Sequence, residues 1–147
     1  MKVIGERKKG IEYLYIFSEL LGAFILVMAI LGEEPILMVM GVLVIIVSFV
    51  VLFGILSTPK NVIVLDEVEN KLYLPKNQTV YLKDISFVAY KKAKAKHHEY
   101  KWGEVHIQVK GNLIRCKYVR DCEMVARELF TLVEKTKEQE IIDNFGE

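Results

Sequence analysis

Two long apolar stretches followed by a series of short alternating segments set the outline of this chain. Residues 11–59 contain no Lys or Arg and only four acids, Glu12, Glu19, Glu33 and Glu34. Within them, Pro35 to Ser57 is 23 residues without a charge. As a helix it would span roughly 34 Å, enough for a hydrocarbon core of about 30 Å. Val and Ile dominate it, which weakens a helix in water, but in lipid a helix pairs every backbone group internally. An earlier run from about Tyr13 to Leu31 carries a single acid, Glu19. The connector Gly32-Glu33-Glu34-Pro35 is short and turn-like. The pattern predicts an antiparallel transmembrane hairpin over residues 11–59, with spans at about 13–31 and 35–57. The first run is too long for the core of a signal peptide, Glu19 interrupts it, and a second span follows within four residues.

From Asn61 the period shortens to that of strands. Val62-Ile63-Val64-Leu65 stops at the polar turn Asp66 to Asn70, and Lys71-Leu72-Tyr73-Leu74 stops at Pro75-Lys76-Asn77. Thr79-Val80-Tyr81-Leu82 follows, then Asp84 and a longer strand beginning at Ile85. Val105, Ile107 and Val109 alternate with His106, Gln108 and Lys110, while Ile114, Cys116 and Tyr118 alternate with Leu113, Arg115 and Lys117. With Lys110-Gly111-Asn112 between them, these read as an antiparallel hairpin. Behind Asp121, a candidate N-cap, Cys122, Val125, Ala126, Leu129, Leu132 and Val133 recur at helical spacing, predicting an amphipathic helix to about Glu138. Residues 60–139 therefore read as five to seven antiparallel strands closed by one helix, with 140–147 an acidic, frayed tail. The fold class is a membrane protein: a helical hairpin followed by a small α+β domain.

Three segments carry a resemblance. They are Val80-Tyr81-Leu82-Lys83-Asp84-Ile85-Ser86-Phe87-Val88, the Gly-led strand Gly103-Glu104-Val105-His106-Ile107, and Tyr118-Val119-Arg120-Asp121 leading into the closing helix. Together with the order of elements, they resemble the bacterial pleckstrin-homology-like (PH-like) domains, which often follow a pair of transmembrane helices. The resemblance covers about 80 residues and implies a β-sandwich or barrel closed by a C-terminal helix, acting as a non-enzymatic binding module. Eukaryotic members place a basic motif in the first hairpin. Here that hairpin, Asp66 to Asn70, is acidic, which argues against phosphoinositide binding.

Composition sharpens this outline. The 147 residues are 52% hydrophobic and 27% charged, with net charge +1 and mean hydropathy +0.27. That pairing is unusual for one soluble domain, and the uneven placement of charge explains it. Residues 1–10 form a basic head with Lys2, Arg7, Lys8 and Lys9, and residues 60–147 hold 16 bases and 14 acids. Bases flank both outer ends of the hairpin and two acids sit in its turn. The positive-inside rule therefore predicts a multi-pass protein of the cytoplasmic membrane with both termini in the cytoplasm. Near-neutral charge argues against nucleic acid as a partner.

Candidate chemistry is sparse. The basic run Lys91-Lys92-Ala93-Lys94-Ala95-Lys96-His97-His98, with Lys101, Tyr100 and Trp102 beside it, is the clearest feature. If the strand continues, Lys92, Lys94 and Lys96 project on one side, and Lys91, Lys92, Lys94, Lys96, Lys101 and Trp102 form a candidate lipid or partner contact. The opposing interpretation is a solvated loop that keeps a sheet edge soluble. Glu19 is the candidate intramembrane polar site; near the interface it can reach water or a base such as Lys8 or Lys9. Gly22, Gly41 and Gly54 are positions where helices can approach closely. His97, His98, His106, Cys116 and Cys122 match no zinc spacing, so neither metal nor cofactor is implied. No hydrolase, nucleotide or metalloprotease motif occurs, so an enzyme is not expected.

Three functions follow as expectations. The first is a membrane-anchored PH-like module docking a protein partner, through a sheet edge or the groove beside the closing helix. The second is an anionic-lipid or membrane-surface sensor using Lys91 to Lys101. The third is an accessory subunit or small homo-oligomer of a membrane complex or channel, for which Glu19 is the distinguishing residue.

Overall fold

A computed structural model describes residues 1–145, with side chains described through Asp143. The chain divides into two compact units: Lys9–Ser57, and Met1–Lys8 together with the segment from Thr58 onward.

The first unit is a helical hairpin of α1 (Ile11–Leu31) and α2 (Pro35–Leu56), close to the predicted spans. Pro35 sits in the first turn of α2, where its missing N–H costs nothing, and Glu33 takes a left-handed φ of 54° in the connector. Buried positions are few and recur every seven residues: Gly22 and Ala29 on α1, and Gly41, Ser48 and Ile55 on α2. That spacing is the seam of a left-handed helix pair. Gly22 and Gly41 oppose each other. A Cβ on Gly41 would lie 3.0 Å from the Leu26 backbone nitrogen and 3.2 Å from the Gly22 carbonyl oxygen. Ser48 and Ser18 hydrogen-bond across the seam at 2.8 Å. Gly54, by contrast, faces open space. Outside the seam, residues such as Phe17, Phe24, Ile36, Phe49 and Phe53 are largely exposed. Both helices are long and apolar enough to cross a membrane, and only 11% of each apolar window is buried. The core helix of a soluble protein would hide these faces.

The second unit is α+β. Its strands are β1 (Lys2–Glu6), β2 (Asn61–Asp66), β3 (Lys71–Leu74), β4 (Gln78–Tyr81), β5 (Ile85–Ala95), β6 (His98–Val109) and β7 (Asn112–Val119), followed by helix α3 (Cys122–Phe145). They make two antiparallel sheets, ordered β1-β2-β3-β4 and β5-β6-β7. The sheets are joined by a short 3-10 turn at Leu82–Asp84 and by a bridge between Arg7 and Val119. The Lys110-Gly111 turn has both residues at positive φ, 48° and 87°, as a two-residue hairpin loop requires. Val62, Ile63, Leu65, Leu72, Ile85, Val105, Ile107, Cys116 and Val119 close over α3's Cys122, Val125, Ala126, Leu129 and Val133.

Two expectations need correction. The head at residues 1–10 is not a separate basic segment. Residues 2–6 are a strand of the domain, with Lys2 opposite Leu65, Glu6 opposite Asn61, and Ile4 in the core. The helical hairpin is thus an insertion between two neighbouring strands, β1 and β2. The closing helix also does not stop near Glu138. It continues to Phe145, because no Gly or Pro interrupts it and a pair such as Gln139–Asp143 (3.1 Å) carries it forward. Asp121 does precede the helix, at φ 48°. Its backbone oxygen accepts the Val125 N–H, while its carboxylate lies 3.4 Å from Arg120 Nε.

Candidate functional site

The lysine run is not a loop. β5 continues through Ala95 and returns at His98, so residues 85–109 form one long β-hairpin whose turn is Lys96-His97, with Lys96 at φ 49°. Acids from other elements engage two of the three lysines, Lys92, Lys94 and Lys96, expected on one side of the strand. Lys92 Nζ lies 2.6 Å from Glu123 on α3, and Lys94 Nζ lies 2.5 Å from Glu99 on β6. The Lys92 bond lowers the Glu123 carboxyl, assisted by Arg127, and Glu123 in turn raises the Lys92 ammonium. Lys94 likewise lowers Glu99. Lys96 is left at the tip. Lys101 is exposed, and its carbonyl accepts a long 3.5 Å bond from the Cys122 thiol.

Two irregularities shape the outer face of this sheet. On β6, Tyr100, Lys101 and Trp102 together oppose the single residue Ala93, since Lys92 pairs Gly103 and Lys94 pairs Glu99. On β7, Lys117 and Tyr118 bulge between Cys116 and Val119. Tyr118 takes a left-handed φ of 58°, a strained conformation for an aromatic residue. The bulge reverses the predicted alternation: Val119 drops into the core and Tyr118 turns to the outer face. There its ring stacks on Trp102, with centroids 6.5 Å apart and planes 28° apart. Tyr100 follows Trp102 at 5.9 Å and His98 follows Tyr100 at 5.0 Å, making a ladder of four rings.

Gly103 makes the cleft possible. A Cβ there would lie 2.0 Å from the Lys91 carbonyl oxygen and 2.9 Å from Lys92 Cα, so only glycine lets the two strands meet. Above it, Lys91, Lys92, Ala93, Lys94, Trp102, Glu104, Lys117 and Tyr118 line a cleft of about 370 Å³. Lys91 and Lys117 make no ion pair with any described residue. Glu104 is engaged by His106, at 3.0 Å. The result is an aromatic floor whose rim carries two ammonium groups without an ion pair to any described residue, Lys91 and Lys117, beside the Glu104 carboxylate.

Sequence reading located Lys91, Lys92, Lys94 and Trp102 of this cleft but missed Lys117 and Tyr118. It also placed Lys101 with the rest, whereas Lys101 lies by Asp121, Glu123, Met124 and Arg127 around a separate 280 Å³ cavity, which Lys92 borders as well. A larger groove of about 660 Å³ runs beside α3, floored by Leu65, Leu82 and Leu132. Its rim mixes Glu67, Glu69, Glu140 and Asp143 with Lys83 and Lys135, so it presents no single charge. Among the described residues, no three His, Cys, Asp or Glu side chains gather as a metal site. Cys116 is buried and its thiol is pushed up to about 12 by burial.

In the hairpin unit, Glu19 makes no ion pair among the described residues, and its Oε1 is shielded from solvent without a hydrogen-bond partner. The expectation that it reaches water or a neighbouring base does not hold for that oxygen.

No protein family, curated protein or solved structure matches the chain.

Proposed function

We propose that the protein is a non-enzymatic docking module anchored in the cytoplasmic membrane, and that it holds an acidic segment of a partner protein over Trp102 and Tyr118. The observation that carries this reading is the pair of ion-pair-free lysines, Lys91 and Lys117, at the rim of a concave aromatic floor. A strained tyrosine and a strand crossing that only glycine permits build the same cleft. Such costs are concentrated where a surface has work to do.

The anchor is the two-helix hairpin, with both termini on the cytoplasmic side by the distribution of bases. Two sheets and a closing helix are in keeping with the PH-like resemblance.

A membrane-surface sensor is the weaker reading. Attraction to anionic lipid scales with the number of unpaired bases near the membrane surface. Here Lys92 and Lys94 are already paired, which leaves Lys96 and Lys101 of the exposed run, while Lys91 and Lys117 line a hollow. The chain has a single tryptophan, so its fluorescence reports this site alone. In nanodiscs of neutral lipid, an acidic peptide containing one aliphatic or aromatic residue should shift Trp102 emission saturably, and Lys91→Glu with Lys117→Glu should abolish the shift. A shift produced by anionic lipid in place of the peptide, and lost in the same variant, would establish the sensor instead.

Glu19 supports a second role for the hairpin. An unpartnered carboxyl oxygen in a span can accept a donor from another membrane helix. Glu19→Gln should then alter association in the bilayer. Unchanged association would remove this role.

A further inference from the structure

The end of α3 offers the counterpart of the cleft. From Glu138 to Asp143 every residue is exposed, and the segment reads Glu-Gln-Glu-Ile-Ile-Asp. Ile141 and Ile142 stand 56% and 63% exposed between Glu138, Glu140 and Asp143. Among the described residues, the one ion pair that ties these acids to the rest of the domain is a loose contact of 4.0 Å between Glu140 and Lys83, at the rim of the groove beside α3. The segment is acidic and carries two unburied aliphatic side chains, the features that the cleft of Lys91, Lys117, Trp102 and Tyr118 would take.

A chain cannot dock its own segment. α3 begins beside β5 and β6, with Glu123 bonded to Lys92 and the Cys122 thiol to the Lys101 carbonyl. It runs to the far side of the domain, where Glu140 meets Lys83. At 1.5 Å per residue the two ends are roughly 30 Å apart.

We infer that the occupant of the cleft is the Glu138–Asp143 end of α3 from a second copy of this chain. This rests on the docking reading above and supplies its partner. Ile141 or Ile142 lies on the Trp102–Tyr118 floor, and the flanking acids meet Lys91 and Lys117. The contact is head-to-tail: each copy gives a helix end and receives one, so copies continue into a closed ring or a row. Anchoring in one bilayer raises the local concentration of copies and favours so small an interface.

Charge reversal tests this in the full chain in nanodiscs or detergent, with mass measured alongside Trp102 emission. Wild type should self-associate. Lys91→Glu with Lys117→Glu should weaken that by about tenfold or more, as should Glu138→Lys with Glu140→Lys and Asp143→Lys. Mixing the two variants should restore assembly, because each then offers what the other lacks, and one chain carrying both sets of changes should assemble alone. Self-association untouched by either reversal, or a wild type that stays monomeric, would overturn the inference. In either case, an unrelated acidic peptide that still shifts Trp102 emission would leave the docking reading standing. Failure of every acidic peptide, including one copied from residues 134–147, would remove both.

Discussion

Tyr118 stacks on Trp102 with ring centroids 6.5 Å apart, although the backbone must enter the left-handed region at φ 58° to bring it there. The contact thus has a conformational cost, of order 1 kcal/mol, set against an aromatic pair worth about 0.5–1.5 kcal/mol beyond its area. Tyr118→Ala should therefore change stability by less than an ordinary aromatic truncation while exposing Trp102. The expected signature is a red-shifted Trp102 emission with a small change in Tm. Tyr118→Phe should leave both near wild type.

Gly103 has no such latitude. Its missing Cβ is the space occupied by the Lys91 carbonyl. Gly103→Ala should separate β5 from β6 and destabilise the domain at or above the upper end of the roughly 1–3 kcal/mol typical of overpacking. Chemical denaturation followed by Trp102 fluorescence would measure it. A stability within 0.5 kcal/mol of wild type, as an order-of-magnitude margin, would mean the strands do not meet this closely.

Across the helical hairpin the limiting contact is backbone on backbone. A side chain on Gly41 would press on the Leu26 nitrogen and the Gly22 carbonyl. Gly41→Ile should weaken helix pairing by about 1–3 kcal/mol. Ser48→Ala, which removes the bond to Ser18, should cost only about 0.6 kcal/mol. Reversible unfolding in bilayers, read by energy transfer between labels on the two helices, would rank the two variants.

Burial of Cys116 predicts a dependence on alkaline pH. An unfolded thiol ionises near 9.0, while the folded one is held up to about 12. Above pH 9 the unfolded chain therefore binds fewer protons than the folded one, and the stability of unfolding falls with pH across that window. Cys116→Val should lose less stability than wild type between pH 9 and 11, as measured by Tm. At pH 7.5 the native thiol should resist alkylation until the domain opens.

Much of the architecture was legible because it rests on local patterns. A long run without charge dictates a long apolar helix, a two-residue turn with glycine dictates a hairpin, and an apolar stripe dictates a packed helix. The strand at Lys2–Glu6 was not legible, since its five residues alternate weakly and their partner, Asn61–Leu65, lies beyond the whole hairpin insertion. The site was half legible. Trp102 and the lysines stand out in sequence, yet whether a lysine is free depends on acids elsewhere, and Glu123 sits on a different element from Lys92. Tyr118 was missed for a different reason. Ile114, Cys116 and Tyr118 continue a regular alternation in sequence, and the bulge that breaks it leaves no mark except in the pairing with β6.

Hydrogen exchange on the full chain in neutral-lipid nanodiscs, with and without a saturating acidic peptide, tests the central claim most directly. Docking over Trp102 and Tyr118 predicts protection confined to Lys91–Lys94, Tyr100–Glu104 and Lys117–Val119, and none of it in the Lys91→Glu, Lys117→Glu variant. Protection falling instead on the Leu65, Leu82 and Leu132 groove, or on no segment at all, would contradict the account.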